Sequence, residues 1–293
     1  MYSKDLRETK TTLQVKEENS LPMHLSSYLA RIGIDGPPPP TLEGLRLLHR
    51  AHLLSVPFEN LDVQLGLKIA IDREPTFEKI VGRRRGGWCF EMNGVFGWAL
   101  AELGFRVTRL SGGVMREKNG ALAEGNHLVL RVDLDEGVYL ADVGFGDGPI
   151  TPMPLREGAF VANGFRYELT PLGEDWWRLA DHVSPTPLTY DVKIAPADEA
   201  QLAGQCAMLQ TAPASPFVQN LVVQRQREGG ITILRGRVLR QVRPDGADER
   251  LLESADDLLA VLAGEFGLDV PEAAALWPKI VERHEALFGD QAG

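Results

Sequence analysis

The sequence predicts an α+β protein in three successive parts, because the spacing of its apolar residues changes along the chain. In residues 23–104 apolar residues recur at helical spacing, which predicts a helical bundle. In residues 105–195 apolar and polar residues alternate between glycine-containing turns, which predicts an antiparallel sheet curled into a small β-barrel. Residues 196–213 are predicted to form an interdomain helix, and residues 214–293 mix strands with two helices, as in a small α/β unit.

The first part is predicted to contain four helices, at 26–32, 41–54, 76–81 and 89–104. Ser26 or Ser27 would cap the first helix, and Thr41 would cap the second. The four consecutive prolines at 37–40 force an extended connection between these two helices.

The remaining elements follow from alternation and from capping signals. Ser254 is a predicted helix cap, with Asp257 at the third helical position. The predicted strands are 105–110, 127–134, 138–143, 165–169, 176–179, 221–224, 231–234 and 237–242, and the later helices are 197–209, 254–266 and 271–288.

Composition limits the classes of partner. The chain of 293 residues is 44% hydrophobic and 25% charged, as in ordinary globular proteins, and has a net charge of -10. That charge argues against nucleic acid as the main partner. The apolar runs are far shorter than the ~20 residues of a membrane span, which argues against a membrane partner. Two widely separated cysteines give no disulfide framework, which predicts a reducing, cytoplasmic location.

Residues 1–22 are polar and lack the apolar core of a secretory signal. Met23 begins the first segment with helical character. We therefore expect residues 1–22 to be an extension before a native start at Met23. A partly ordered tail is the alternative.

The strongest chemical signal is the sequence Arg-Arg-Gly-Gly-Trp-Cys-Phe-Glu-Met-Asn at 84–93. It places Cys89 in the first turn of a predicted helix, where the helix dipole favours a thiolate and free N–H groups can meet an oxyanion. The glycines before it let the backbone approach a ligand closely. This pattern predicts a nucleophile. The alternative is a buried cysteine that only fills core space.

A cysteine nucleophile needs a base and an acid that orients the base. Of the six histidines, His127 stands out because it opens an alternating strand after a glycine turn. Asp142 ends the next strand. A hairpin turn at 135–137, with residues 130–134 opposite 138–142, would bring His127 and Asp142 together at its open end. The sequence therefore predicts a Cys89–His127–Asp142 triad between the helical part and the sheet.

These residues resemble the motifs of the arylamine N-acetyltransferases. The likeness covers the chain from about residue 25 to the C-terminus. The matching segments are Arg-Gly-Gly-Trp-Cys-Phe-Glu-Met-Asn at 85–93, and residues 56–61, 126–128, 142–146, 215–217 and 221–225, all in the family's order.

The resemblance implies a fold of N-terminal helical bundle, central antiparallel β-barrel and C-terminal α/β lid (214–293), with a cysteine-protease-like Cys-His-Asp core. It implies that Cys89 takes the acetyl group from acetyl-CoA and passes it to a small aromatic amine or hydrazine. Glu59 and Arg85 would pair to brace the site. Phe58, Val114 and Phe145 would line the acceptor pocket, and the turn Gly144-Phe145-Gly146 would lie near the CoA thiol. No bound cofactor and no metal are expected.

Three other interpretations use the same residues. A cysteine hydrolase or a transglutaminase-like enzyme would need the same triad, and an amide synthase would share the family resemblance as well. A binding module in which Cys89 is structural is the non-enzymatic alternative. The sequence does not indicate the oligomeric state, the physiological acceptor or the residues that would hold the CoA phosphates.

Overall fold

The computed structural model describes residues 23–69, 71–173, 175–184 and 187–289. The extension expected at residues 1–22 therefore lies outside the described residues. Within those ranges the chain is α+β, as predicted. No helix in the described part of the chain has the length and apolar character needed to cross a membrane.

The N-terminal part is helical, with one short strand. Its elements are α1 (Leu25–Ile32), α2 (Leu42–Ser55), β1 (Phe58–Glu59), α3 (Leu61–Gln64), α4 (Arg73–Phe77), which continues as a π-helical turn (Glu78–Gly82), and α5 (Cys89–Glu102). The Thr41 side chain caps α2, as predicted, by accepting a hydrogen bond from the Gly44 N–H group at 3.2 Å. Helix α1 ends at Ile32, as predicted, but the predicted serine cap was wrong, because the helix begins at Leu25 with His24 as its N-cap residue.

The central part is an eight-stranded antiparallel sheet curled into a half-barrel, in the order β5-β4-β3-β2-β9-β8-β7-β6. Its elements are β2 (Arg106–Val114), α6 (Arg116–Asn119), a 3₁₀ turn (Gly120–Ala123), β3 (His127–Leu134), β4 (Gly137–Ala141), β5 (Met153–Pro154), β6 (Gly158–Ala162), β7 (Phe165–Pro171), β8 (Trp176–Asp181) and β9 (Leu188–Pro196).

The C-terminal part has a five-stranded antiparallel sheet in the order β1-β10-β11-β12-β13. Its elements are α7 (Glu199–Thr211), α8 (Pro216–Gln219), β10 (Val222–Arg227), β11 (Gly230–Arg235), β12 (Val238–Arg243), β13 (Gly246–Leu251), α9 (Ala255–Phe266), a 3₁₀ turn (Pro271–Leu276) and α10 (Trp277–Phe288). Strand β1 comes from the helical part, so this sheet is joined by hydrogen bonds to the segment 56–60 that precedes α3.

Two sequence predictions in this last part need correction. The single helix expected at 271–288 is divided, because Pro278 has no N–H group to donate into the preceding turn. Strand β13 was not predicted, since all six of its residues are exposed and it therefore shows no apolar alternation. Ser254 does cap α9, as predicted, with its hydroxyl accepting from the Asp257 N–H group at 3.1 Å.

Helix α5 is the centre of the molecule. Its residues from Cys89 to Phe96 are all buried, so the helix is enclosed on every side instead of showing one apolar stripe. It packs on β3 so closely that a Cβ atom at Gly97 would lie 3.2 Å from the Leu130 side chain. This packing holds α5 in a fixed position against β3.

Candidate active site

Cys89 is the first residue of α5, as the sequence predicted, and is 4% exposed. The preceding turn is held tightly. The Glu91 carboxylate accepts a hydrogen bond from the Trp88 N–H group at 3.2 Å, and a Cβ atom at Gly86 would lie 2.0 Å from the Pro57 carbonyl oxygen. Only glycine fits at 86, so the sulfur is presented at a fixed helix start where the first N–H groups have no partner within the helix.

His127 and Asp142 meet as predicted. His127 Nε2 lies 2.7 Å from Asp142 Oδ2, and the two side chains are 2% and 3% exposed. The Cys89 side chain lies near enough to the His127 ring to help raise its pKa, and its sulfur is 4.0 Å from the carbonyl oxygen of Asn126, the residue before His127. Since Nε2 is occupied by Asp142, Nδ1 is the ring nitrogen left for the sulfur. The three side chains are therefore buried together at the start of α5.

The predicted hairpin register was wrong by one residue. Leu130 pairs with Ala141 and Leu134 with Gly137, so the turn contains only residues 135 and 136. Gly137 has a φ of +139°, a conformation that lets the strand begin one residue earlier than expected. His127 and Asp142 still meet because Asp142 lies just beyond the paired part of β4.

Asn93 is a positioning residue that sequence reasoning missed. Its amide Nδ2 donates to Asp142 Oδ1 at 2.8 Å and to the Leu128 carbonyl oxygen at 2.6 Å, and its Oδ1 accepts from the Val143 N–H group at 2.9 Å. Asn93 is four residues after Cys89 and so lies on the same face of α5. That spacing was the signal that could have identified it.

Gly144 lies in the turn that follows Asp142, at a position where close packing leaves no room for a side chain. A Cβ atom there would lie 2.6 Å from the Cys89 Cα atom and 2.8 Å from Asn93 Nδ2. The Gly144 N–H group donates to Asp142 Oδ1 at 2.9 Å. Any side chain at 144 would push the nucleophile away from the histidine, so glycine is required here by close packing.

The environment of the triad favours charge on the imidazole. Burial opposes the charged ring, but the Asp142 carboxylate, its hydrogen bond to the ring and the nearby Cys89 side chain raise the pKa of His127 to about 10. Burial likewise opposes the charged carboxylate, but His127, Asn93 and the Gly144 N–H group hold the pKa of Asp142 below its usual value. At neutral pH the ring is therefore an imidazolium bound to a carboxylate, and it can stabilise a thiolate at Cys89.

The raised pKa of His127 predicts a titration. Because the pKa in the folded state lies above the ordinary value of 6.5, protonated His127 stabilises the fold fully below about pH 6.5, and this contribution is lost as the pH rises to about 10. We expect the NMR signals of the His127 ring to titrate near pH 10 in the wild type and at lower pH in Asp142→Asn. A wild-type midpoint near 6.5 would contradict the ion pair.

Cys206, on α7, provides an internal comparison. It is also buried, but burial and the nearby Cys89 and Glu91 raise the pKa of its thiol to about 12. We expect iodoacetamide at neutral pH to modify Cys89 at least about 100-fold faster than Cys206, since the thiolate is the reactive form. Peptide mass spectrometry over a time course measures both rates in one sample. Equal rates would show that Cys89 is not activated.

The predicted pair of Glu59 and Arg85 is present. Glu59 Oε1 accepts from Arg85 Nη2 at 2.8 Å and from Arg85 Nε at 3.1 Å. Arg85 Nη2 also donates to Asp62 Oδ1 at 2.9 Å. These contacts join the strand β1 segment to the turn that carries Cys89.

The sequence did not predict that Lys79 completes this group of charges. Lys79 Nζ lies 2.9 Å from Asp62 Oδ2, 3.8 Å from Glu59 Oε1 and 2.9 Å from Glu91 Oε1. Burial opposes the charged ammonium, but the three carboxylates raise the pKa of Lys79 above its usual value. We refer to Glu59, Asp62, Lys79, Arg85 and Glu91 as the buried charge cluster.

Of the predicted pocket residues, Phe145 and Val114 lie on the His127 side of Cys89, and Phe58 lies beside the turn that carries Cys89. The Phe145 ring packs on the His127 ring with centroids 5.5 Å apart. Val114 ends β2, where its N–H group donates to Asn126 Oδ1 at 2.8 Å, and the Asn126 carbonyl oxygen lies 4.0 Å from the Cys89 sulfur. On the other side, Phe58 packs on Phe217 with ring centroids 6.4 Å apart.

Two further residues belong to this region. Tyr190, which the sequence did not indicate, packs at an angle against both His127 at 5.0 Å and Phe145 at 4.8 Å between ring centroids. Gly146 has a φ of +85°, and a Cβ atom there would lie 1.9 Å from Gln224 Oε1. The glycine turn 144–146 therefore packs closely between the triad and strand β10.

Comparison with known proteins agrees with this geometry. The family model described as N-acetyltransferase matches residues 41–275. The arylamine N-acetyltransferase of Mycolicibacterium smegmatis is 39% identical over 86% of this chain and 94% of its own length, and that of Escherichia coli is 33% identical over 85% and 90%.

Solved structures show the same relationship. The M. smegmatis arylamine N-acetyltransferase superposes with a TM-score of 0.81 at 36% identity, and the Mycobacterium marinum arylamine N-acetyltransferase in complex with CoA with a TM-score of 0.80 at 33% identity. Each superposition covers 89% of this chain and 98% of the relative. The chain belongs to the arylamine N-acetyltransferase family.

Proposed function

We propose that this chain is an arylamine N-acetyltransferase, which moves the acetyl group of acetyl-CoA to an arylamine, arylhydrazine or arylhydroxylamine through an acetyl-Cys89 intermediate. The observation that carries the proposal is that Cys89 is buried at the start of α5 beside the hydrogen-bonded pair of His127 and Asp142, in a member of this family. The complex of a relative with CoA supports acetyl-CoA as the donor.

In the first half-reaction the Cys89 thiolate attacks the carbonyl carbon of acetyl-CoA. The new oxyanion is met by N–H groups at the start of α5, a placement typically worth about 3 kcal/mol in the transition state. The intermediate collapses by breaking the bond between the carbonyl carbon and the CoA sulfur. His127 supplies the proton to the departing CoA thiolate and becomes neutral.

In the second half-reaction the nitrogen of the acceptor attacks the acetyl-Cys89 carbonyl. Neutral His127 takes the proton from that nitrogen, and the Cys89 thiolate leaves. The imidazolium–thiolate pair is then restored. Arylamines are weak bases and are largely neutral at neutral pH, so their nitrogen lone pair is available. Alkylammonium ions lack a free lone pair, which gives one reason for a preference for aryl acceptors.

In this proposal the buried charge cluster holds the turn that carries Cys89 in place. Glu91 accepts from the Trp88 N–H group, one residue before the nucleophile, and is itself held by Lys79. Arg85 and Glu59 hold the other side of the same turn. We propose that these contacts keep Cys89 within reach of His127, without any of the five residues touching substrate.

The side chains of Phe58 and Phe145, which are 7% and 9% exposed, support an aromatic acceptor, because their rings can pack against another aromatic ring. Such a surface recognises the shape of a ring more than any specific polar group. This supports a role in the metabolism of varied foreign aromatic amines. The two free cysteines support a cytoplasmic location.

Steady-state kinetics test the two-step scheme. When acetyl-CoA and an aryl hydrazine are both varied, we expect parallel double-reciprocal lines, since CoA leaves before the acceptor enters. Without acceptor, release of CoA should stop after one equivalent per enzyme. Intersecting lines would indicate direct transfer in a ternary complex, and continued release of CoA without acceptor would indicate a hydrolase.

A further inference from the structure

A cavity of about 440 Å³ lies in the C-terminal part, between α10 and the turn that joins β11 to β12. We call it the α10 cavity. Its lining includes Leu221, Arg235, Val238, Lys279, Ile280 and Arg283. Neither the triad nor the rings that surround it belong to this lining. The α10 cavity is therefore separate from the site described above.

The interior of the α10 cavity is apolar. Leu221 and Ile280 are buried in the core of this part of the protein, and Val238 is half-buried beside them. Leu287 and Phe288, which also line the cavity, are 48% and 50% exposed. An apolar ligand body could cover these two side chains and remove their surface from water.

The rim of the α10 cavity is cationic. Among the lining residues that the structure describes, five are lysine or arginine and one, Glu249, carries a carboxylate. Glu249 is already engaged by Arg240, at 3.3 Å. In a chain with a net charge of -10, this is a local excess of positive charge.

The remaining cations make only neutral contacts among the residues that the structure describes. Lys279 Nζ donates to the Val218 carbonyl oxygen at 3.0 Å. Arg283 donates to Asn220 Oδ1 and to Gln219 Oε1, each at 3.1 Å. No carboxylate in the described ranges forms an ion pair with Lys279, Arg283 or Arg235.

Lys279 shows the consequence of this arrangement. Lys279 is exposed as a whole, but partial burial still lowers the pKa of its ammonium group, and no carboxylate among the described residues counteracts that effect. An ammonium without a counter-ion is less stable than one beside an anion. Binding of an anion at the rim would therefore be favoured electrostatically.

We propose that the α10 cavity is a second binding site, for an amphipathic organic anion: a carboxylate or sulfonate at the Lys279–Arg235–Arg283 rim, carried on an aromatic or medium-chain aliphatic body. The volume is within the range of about 300–1,000 Å³ that is usual for small-molecule sites. The excess of positive charge at the rim favours an anionic ligand, and the apolar interior favours a ligand whose remaining part is apolar. This inference does not depend on the acetyl-transfer chemistry.

The test uses the full chain and the fluorescent aryl sulfonate 8-anilinonaphthalene-1-sulfonate. We expect Lys279→Gln and Arg235→Gln each to weaken its binding by about tenfold, as for loss of one charged contact. Leu287→Asp should weaken it as well, by placing a carboxylate at the exposed mouth. Decanoate should compete with the probe, and inorganic sulfate at the same concentration should not.

Lys193→Gln on β9 and Arg46→Gln on α2 are the matched controls, since both residues are exposed and lie outside the cavity lining. Both should bind the probe within about twofold of wild type. The proposal is overturned if the wild type binds neither probe nor decanoate, or if all cavity variants bind like the controls. Equal competition by sulfate would overturn the amphipathic ligand class. Retained acetyl transfer in the cavity variants confirms that they are folded.

Discussion

Replacing Asp142 with asparagine is expected to lower the rate constant for acetylation of Cys89 by about 10⁴-fold. Asp142 Oδ1 accepts hydrogen bonds from Asn93 and from the Gly144 N–H group, and Oδ2 faces His127. Asparagine has one carbonyl oxygen in place of two carboxylate oxygens. If that oxygen accepts from Asn93 and from the Gly144 N–H group, the NH₂ group of the asparagine must face the His127 ring.

That NH₂ group would need an unprotonated Nε2 as its acceptor. The single proton of His127 would then lie on Nδ1, the nitrogen that faces the sulfur, so the ring could not take a proton from Cys89. Stopped-flow measurement of CoA release gives the rate. Asp133→Asn, on β3 and paired with Arg131, is the matched control and should retain near wild-type activity. A loss of less than about tenfold in Asp142→Asn would contradict the assigned role.

Replacing Lys79 with methionine is expected to destabilise the fold by about 3–5 kcal/mol, because it leaves three buried carboxylates with Arg85 as their remaining cation. Burial and the carboxylates already raise the pKa of Glu91, although Lys79 opposes this rise. Without Lys79 that pKa should rise further.

A carboxyl whose pKa is raised on folding stabilises the fold at low pH and loses that contribution as the pH rises. The difference in the free energy of unfolding between wild type and Lys79→Met should therefore grow from about pH 5 to about pH 8. Urea unfolding at several pH values measures it. Lys193→Met on the surface should stay within about 0.5 kcal/mol of wild type.

The double variant Lys79→Met/Glu91→Gln tests the cause. It removes one charge of each sign, and a coupling free energy of about 2 kcal/mol between the two changes is expected. If the two effects simply add, the loss in Lys79→Met comes from packing of the lysine stem, and the electrostatic account of the cluster is wrong.

The sequence could predict the triad because each member has a strong local signal. Cys89 follows two glycines at a helix start, His127 follows a glycine turn, and Asp142 precedes a glycine loop. Periodicity could not fix the hairpin register, since a turn of two residues and a turn of three both fit the glycine at 137. The structure decides between them through the left-handed conformation of Gly137.

The buried charge cluster could not be assembled in full from local patterns. Lys79 lies in a π-helical turn, and its carboxylate partners are 12 to 20 residues away along the chain. A lysine among apolar residues looks like an ordinary exposed helix position, and no spacing rule links it to Asp62. Glu91 could have been recognised from its place at the third position of α5, where a glutamate can accept a hydrogen bond from the N–H group of the residue before the helix.

Mass spectrometry of the protein mixed with acetyl-CoA alone is the most direct test of the central claim. The account predicts one acetyl group per chain, located on the peptide that contains Cys89, and its removal when an aryl hydrazine is added. An unmodified protein that still acetylates the hydrazine, or an acetyl group stable on any residue other than Cys89, would contradict it.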